Sequence, residues 1–151
     1  MINIVLVHPE IPNNTGNIGR LCLGGNARLH LIKPFGFELD DKRLKRAGLD
    51  YWPHIDLCVY NSFEEFYNKT KPKSMAFLSS KATKRYTQIP FKDEVYLIFG
   101  KESSGLDAEL LEQYKDLVYT IPLMSDQIRS LNLANAVAIT LYEANRQLNN
   151  F

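Results

Sequence analysis

Six short apolar runs along the chain predict six β-strands. They are rich in β-branched and aromatic residues and lie at positions 2–7, 29–32, 57–60, 75–78, 95–99 and 117–121. Apolar residues are continuous within each run, which is typical of strands that are covered on both faces. The pattern therefore predicts a parallel sheet in an α/β domain.

Segments with helix-start signals lie between the strands. The predicted helices run from Thr15 to about Leu23, from Asp40 through Ala47 to a stop at Gly48, from a capping box at Ser62–Glu65, from Asp107 to Tyr114, and from Ser130 to about Leu148. The last helix is apolar most of the way round its first three turns. We expect it to be buried on more than one side, either inside the domain or against a second copy of the chain.

The composition is that of an ordinary globular domain. The 151 residues are 45% hydrophobic and 23% charged, which excludes disordered, collagen-like and coiled-coil chains. Such a chain should bury roughly 70% of its unfolded surface, so we expect a single domain over residues 1–151. Its two cysteines and three histidines lack metal-ligand spacing, so we expect no metal. The N-terminus has no signal-peptide or membrane-span pattern, which predicts a cytoplasmic protein.

Charge is segregated along the chain although the net charge is only +1. Residues 66–92 contain seven basic residues and no acidic one, whereas residues 93–119 contain seven acidic residues against two lysines. A basic run of this kind is either a solvated surface or a surface that binds anions. The sequence pattern leaves both possibilities open.

Two glycine-containing segments lack the spacing of known nucleotide-binding motifs. Gly16 and Gly19, with the later glycines, do not form GxGxxG, and eight residues separate them from the preceding strand. Residues 100–105 have the GxxxxG frame of a phosphate loop, but Leu106 and Asp107 stand where lysine and a hydroxyl are required. The serines between them are not in GxSxG either.

Three polar loops follow predicted strands at the edge of the sheet where α/β proteins bind ligands. They cover residues 12–20, residues 98–106, and residues 121–122 together with 129–136. Each loop by itself is compatible with ordinary turn and cap chemistry. Taken together and in this order, they resemble the three signature motifs of the SPOUT class of RNA methyltransferases.

The resemblance extends over nearly the whole chain. Residues 4–6, 9–17, 20–22, 29–32, 36–37, 41–44, 48–51, 142–144 and 146–148 are similar to the small bacterial TrmL-type enzymes of that class. Those enzymes methylate the ribose 2′-hydroxyl of the wobble nucleotide, a cytidine or a modified uridine, of leucine tRNAs. The resemblance therefore implies methyl transfer to the leucine tRNA anticodon loop.

For the fold, the resemblance implies a twisted parallel sheet flanked by helices, with a deep trefoil knot in the C-terminal third. It also implies a homodimer that uses the last helix and the helix of the first motif. The implied cofactor is S-adenosyl-L-methionine, and the matching cofactor-binding positions are Leu78, Gly100, Ile121 and Ser130. At Gly100 we expect that a Cβ would occupy space that the ligand needs.

Motif matching assigns catalysis to Arg20, with Asn14, Glu102 and Asn132 in supporting roles. A guanidinium is a poor base, so we expect Arg20 to grip the RNA phosphate and to stabilise the developing alkoxide. The expected RNA-binding residues are Lys81, Lys84, Arg85 and Tyr142, with packing an equal alternative for Tyr142. Two other functions stay open: a flavodoxin-like or Rossmann-like nucleotide-binding domain, and a non-catalytic knotted RNA-binding dimer.

Overall fold

The computed structural model describes residues 1–40, 42–47 and 50–151. Six parallel strands form one sheet in the order β3-β2-β1-β5-β4-β6. The strands are β1 Ile2–Val7, β2 Ala27–Ile32, β3 Leu57–Tyr60, β4 Met75–Leu78, β5 Tyr96–Phe99 and β6 Val118–Tyr119. All six predicted strands and their parallel arrangement are confirmed. The differences are at strand ends: β2 starts two residues earlier and β5 one residue later than predicted. Strand β6 loses its predicted first residue to the 3₁₀ turn Lys115–Leu117, and it ends two residues earlier than predicted.

The described residues form five α-helices, of which four lie between strands and the fifth follows β6. They are α1 Pro12–Gly24, α2 Lys42–Ala47, α3 Phe63–Thr70, α4 Ala108–Gln113 and α5 Leu133–Gln147, and 3₁₀ turns also lie at Trp52–His54 and Tyr86–Gln88. The strand order reverses its direction of growth between β1 and β5, because β2 and β3 lie on one side of β1 and the later strands lie on the other. Such a switch point is where open α/β sheets bind ligands.

Two apolar clusters cover the two faces of the sheet. Alternate residues of β1 serve each face: Ile4 and Leu6 pack with helices α1 and α5, whereas Val5 and Val7 pack with helix α3 through Phe66. The sheet is therefore covered on both sides, as the continuous apolar runs predict.

The predicted helix starts are partly wrong. Helix α1 begins at Pro12 rather than Thr15, whose Oγ1 is buried without a hydrogen-bond partner among the described residues. Gly16 and Gly19 therefore lie within a helix and not in a turn. Helix α5 begins at Leu133 rather than Ser130. Its cap is Asn132, whose side chain accepts a hydrogen bond from the backbone N–H of residue 135 at 3.2 Å.

The remaining starts follow the prediction more closely. Ser62 Oγ accepts the backbone N–H of Glu65 at 3.0 Å, whereas the Glu65 carboxylate accepts the N–H of Asn61 instead of completing the capping box on Ser62. Asp107 is the N-cap residue of α4, but its side chain makes no capping bond. Helix α2 begins at Lys42. Its predicted stop, Gly48, lies outside the described residues.

Helix α5 is buried along one side within its own chain. Val137, Leu141 and Ala144 are fully buried against α1 and the sheet. Ile139 and Tyr142 remain 37% and 42% exposed. The second covered side that the sequence predicts is therefore not supplied within the chain.

Helix α5 returns from the β6 edge of the sheet to pack against α1 and β1 near its centre. The threading of this segment through a knot stays a prediction. In the described part of the chain, no helix has the length and apolarity needed to cross a membrane.

Candidate ligand site at the carboxyl edge of the sheet

A cavity of about 460 Å³ lies at the carboxyl ends of β4, β5 and β6. It is lined by residues 78–81, 99–106, 120, 121, 123, 129–133 and 136, together with Ile11 and Asn14 at the start of α1. All three polar loops that the sequence analysis singled out therefore meet in one place. The volume is in the range of pockets for small organic ligands.

Glu102 ties the second loop to the start of helix α1. Its Oε1 accepts the backbone N–H of Glu10 at 2.9 Å, and its Oε2 accepts the backbone N–H of Ile11 at 2.7 Å. These bonds place a negative charge at a helix N-terminus that has no side-chain cap of its own. The carboxylate is therefore the tertiary cap of α1.

Two asparagines extend this connection to the third loop. Asn14 Nδ2 donates to Glu102 Oε2 at 3.3 Å, and Asn132 Nδ2 donates to Asn14 Oδ1 at 3.2 Å. Asn14 is 8% exposed. The structure thus joins three of the four predicted catalytic residues in one hydrogen-bonded chain, which we call the Glu102 clasp (Glu102, Asn14 and Asn132).

A second carboxylate strengthens the same contact from the other side. Glu10 Oε1 accepts the backbone N–H of Ser103 at 2.8 Å. This hydrogen bond, with a smaller contribution from the charge of Lys101, lowers the pKa of the Glu10 carboxyl. Glu10 therefore remains ionised at neutral pH and holds residues 102–103 against the start of α1.

The expected reason for glycine at position 100 is wrong. A Cβ on Gly100 would lie 2.1 Å from the carbonyl carbon of Gly105 and 2.2 Å from the backbone nitrogen of Leu106. The space beside Gly100 is filled by the loop itself, which folds back through the hydrogen bond from Gly105 N–H to the Lys101 carbonyl at 2.9 Å. Gly105 has φ +73° with open space around its Cβ position, so its backbone conformation is what favours glycine there.

All four predicted cofactor-binding residues line the cavity: Leu78, Gly100, Ile121 and Ser130. The cavity also contains groups to which the sequence analysis gave no role, notably Lys101 and Arg129. Both lie inside the quoted loops. Their position in a loop could be read from the sequence, but a loop position does not predict whether a cationic side chain points into the cavity.

The predicted RNA-binding residues are only partly gathered at this site. Lys81 lines the cavity, whereas Lys84 and Arg85 lie beyond its lining. Lys84 Nζ donates to the Asp116 carbonyl and lies 4.6 Å from the centroid of the Tyr119 ring. Lys84 is therefore held against its own chain.

Arg20 and Tyr142 also lie outside the cavity lining. Arg20 is exposed on α1, about 1.7 helical turns beyond Asn14. Tyr142 is on α5, where its ring contacts Phe151 with 6.2 Å between centroids. Within one chain, the structure does not bring either residue to the Glu102 clasp.

The cavity fits the cofactor that the resemblance implies. Leu78, Phe99 and Leu133 supply apolar walls, while serine hydroxyls and the backbone of residues 100–105 supply polar groups. S-adenosylmethionine needs this mixture, because it combines an aromatic base with a ribose and a charged amino-acid end. Among residues 1–40, 42–47 and 50–151, no group of His, Cys, Asp or Glu side chains is arranged to hold a metal ion.

A parallel sheet with a ligand-sized cavity at its carboxyl edge, beside the switch point and lined by three connected loops, defines an α/β protein that binds a small organic ligand. Comparison with known families is more specific. Residues 1–142 match the model of the SpoU rRNA Methylase family, and the chain belongs to that family.

Relatives and solved structures agree with this membership. A protein of Saccharophagus degradans named tRNA (cytidine(34)-2′-O)-methyltransferase is 47% identical over 149 residues, which cover 98% of this chain and 96% of that protein. A solved structure from a study of the 2-OH methylation of C/U34 on tRNA is 42% identical to this chain. Its TM-score is 0.93, and the match covers 100% of this chain and 98% of the other.

A more distant structure contains the cofactor. The AdoMet-bound rRNA methyltransferase of Sinorhizobium meliloti is 25% identical, with TM-score 0.85, and the match covers 97% of this chain and 56% of that one. Family membership also decides against the flavodoxin-like alternative, since the chain is a SpoU methylase over nearly all of its length.

Proposed function

We propose that this protein transfers a methyl group from S-adenosylmethionine to the ribose 2′-hydroxyl of nucleotide 34 of tRNA. The observation that supports this most strongly is the chain of hydrogen bonds through Glu102, Asn14 and Asn132 at the mouth of a cofactor-sized cavity. Relatives at similar chain length carry the corresponding name. On this proposal, residues 1–151 form one catalytic domain.

Leu78, Gly100, Ile121 and Ser130 would hold the cofactor, largely through their backbone groups. When bound, S-adenosylmethionine supplies a methyl group on a sulfonium that an alcohol oxygen can attack in line. The protein contributes by aligning the ribose and by excluding competing orientations. The Glu102 clasp suits this work because each of its members is held by at least one hydrogen bond before RNA arrives.

Glu102 is a poor candidate for the general base. Its two oxygens already accept three N–H groups, from Glu10, Ile11 and Asn14. We assign it to positioning of the first loop instead, and we assign Asn14 and Asn132 to orientation of the ribose. Arg20 would grip an RNA phosphate and stabilise the developing alkoxide, because guanidinium forms bidentate bonds to phosphate oxygens.

RNA would reach the site across the basic segment that begins at Lys81. Lys81 at the cavity rim would contact phosphate directly, and Lys84 and Arg85 would extend the positive surface. Replacing Lys81 by alanine should weaken tRNA binding and flatten its dependence on salt concentration. For Lys84→Ala we expect unchanged turnover of saturated enzyme, because the Lys84 ammonium already donates to the Asp116 carbonyl in its own chain.

We propose a homodimer that covers the exposed side of α5. Ile139 and Tyr142 on α5 and Leu23 on α1 form this apolar surface, and Tyr142 lies beside Gly24. Burial of such a surface against a second copy would supply the second covered side that the sequence predicts for α5. Light scattering should give twice the monomer mass, and Ile139→Glu should yield a monomer.

For the substrate, we propose leucine tRNAs in the cytoplasm. The test is methyl transfer by purified protein to a panel of tRNAs with labelled S-adenosylmethionine. We expect incorporation into leucine tRNAs, and none into the same tRNA carrying 2′-deoxyribose at nucleotide 34. Binding of tRNA without any transfer would instead support the non-catalytic RNA-binding alternative.

A further inference from the structure

The guanidinium of Arg20 has an aromatic partner in this structure. Its Cζ lies 4.7 Å from the centroid of the Tyr51 ring. Arg20 makes no ion pair or side-chain hydrogen bond with any residue in the described ranges. Among the described residues, the Tyr51 ring is therefore the feature that constrains where this exposed guanidinium lies.

The position of Tyr51 depends on how closely helix α1 approaches the turn at Trp52–His54. Tyr51 precedes this turn, and its carbonyl accepts the backbone N–H of His54 at 2.9 Å. On α1, a Cβ at Gly19 would lie 2.5 Å from Ile55 Cδ1 and 3.1 Å from Trp52 Cζ3. The absent side chain at Gly19 thus lets the helix touch the turn, which brings the next residue, Arg20, beside Tyr51.

A ring suits this arginine better than a carboxylate would. An ion pair with Asp or Glu would neutralise the guanidinium and occupy N–H donors that phosphate requires. A cation–π contact uses the face of the ring and consumes no N–H donor. It also restricts the rotamers of a long side chain before RNA binds, so less freedom is lost when the contact with phosphate forms.

We propose that Tyr51 is a positioning residue for Arg20, which holds the guanidinium in place for the RNA while leaving its hydrogen-bond donors free. This inference rests on the role proposed above for Arg20. It concerns geometry that exists in the free protein, so it can be tested separately from catalysis.

The first measurement is NMR of the arginine side chain in the free protein. Ring current from Tyr51 should shift the Arg20 side-chain resonances, and the shift should persist in Tyr51→Phe and disappear in Tyr51→Leu. Equal Arg20 shifts in all three proteins would overturn the proposed contact. Because no RNA or cofactor is present, this result does not depend on the proposed function.

The second measurement is steady-state methyl transfer to tRNA. We expect Tyr51→Leu to lower kcat by roughly 5- to 10-fold, the effect of losing one partly exposed cation–π contact. Tyr51→Phe should restore kcat to within about twofold because the ring face remains. Affinity for S-adenosylhomocysteine and the melting temperature should stay unchanged. Tyr67→Leu is the matched control, since Tyr67 is an exposed tyrosine on α3, 39% accessible.

The outcomes separate this inference from the proposed function. Wild-type turnover in Tyr51→Leu beside an inactive Arg20→Ala overturns the inference alone. An equal loss of kcat in Tyr51→Phe and Tyr51→Leu also overturns it, because the hydroxyl and not the ring would then matter. Wild-type turnover in Arg20→Ala contradicts the role proposed for Arg20, and the inference fails with it.

Discussion

Replacement of Glu102 by glutamine tests whether this carboxylate organises the site. The charged oxygens accept two backbone N–H groups at 2.9 and 2.7 Å and the Asn14 amide at 3.3 Å. Hydrogen bonds to a charged group contribute about 1.5–3 kcal/mol each, and the half-buried position of Glu102 reduces this. Glutamine retains one acceptor oxygen, but its NH₂ group would face one of these N–H donors and cannot accept a hydrogen bond from it. We therefore expect Glu102→Gln to lower the free energy of unfolding by about 2 kcal/mol.

Cofactor affinity should fall together with stability. Both loops that the carboxylate joins line the cavity. In Glu102→Gln, part of the binding free energy must therefore go into reordering these loops. A cost of about 1.4 kcal/mol weakens binding about tenfold. Urea unfolding and calorimetry with S-adenosylhomocysteine measure the two quantities. Glu112→Gln is the matched control. This exposed carboxylate faces Lys115 at 3.7 Å and has no other ion pair among the described residues, so its replacement should change stability by less than about 0.5 kcal/mol. If both variants behave alike, the clasp does not organise the site.

Two further perturbations have defined outcomes. Gly100→Ala should destabilise the fold by about 3 kcal/mol and abolish S-adenosylhomocysteine binding, because its Cβ would collide with the backbone of Gly105; wild-type thermal stability would contradict this. Burial, with the charge of Arg28 nearby, lowers the pKa of His30 to about 4 from 6.5. Below pH 6.5 the unfolded chain takes up the proton first, so stability should fall by about 3 kcal/mol between pH 6.5 and 4. A free energy of unfolding that is flat from pH 6.5 to 5 would refute this assignment.

The strands could be predicted because their signal is local. Most of the runs are buried on both faces and are therefore almost entirely apolar, although β3 at the edge of the sheet is only partly buried. The strands β1, β3 and β4 have the predicted bounds. Sheet order was not predictable from apolar runs alone, since it depends on which connections cross the sheet. The predicted knot could not be derived from apolar runs either and rests on the family resemblance, because threading leaves no periodic trace in a sequence.

Helix α1 shows why local signals failed near the site. Its cap comes from Glu102, 91 positions away from Ile11 in the chain. Thr15 offered a cap signal within the segment but is buried inside the helix. A rule that searches neighbouring residues cannot find a cap that the tertiary structure supplies.

The candidate site residues also differ in how far the sequence could predict them. The four positions that motif resemblance assigns to the cofactor all line the cavity, and three of its four catalytic candidates form the Glu102 clasp. The reason given for Gly100 was wrong because the close contact is with the loop's own backbone. Tyr51 was not found, since its pairing with Arg20 arises from a helix packing against a distant turn.

The most direct test of the central claim is nucleoside mass spectrometry of nucleotide 34 in tRNA. Isolated tRNA would be compared from cells that contain the protein, lack it, or contain only Arg20→Ala. We expect a ribose 2′-O-methyl group on nucleotide 34 in the first sample and its loss in the other two. An unchanged methylation level at nucleotide 34 in cells without the protein, or loss of a methyl group at another position, would contradict the proposed activity.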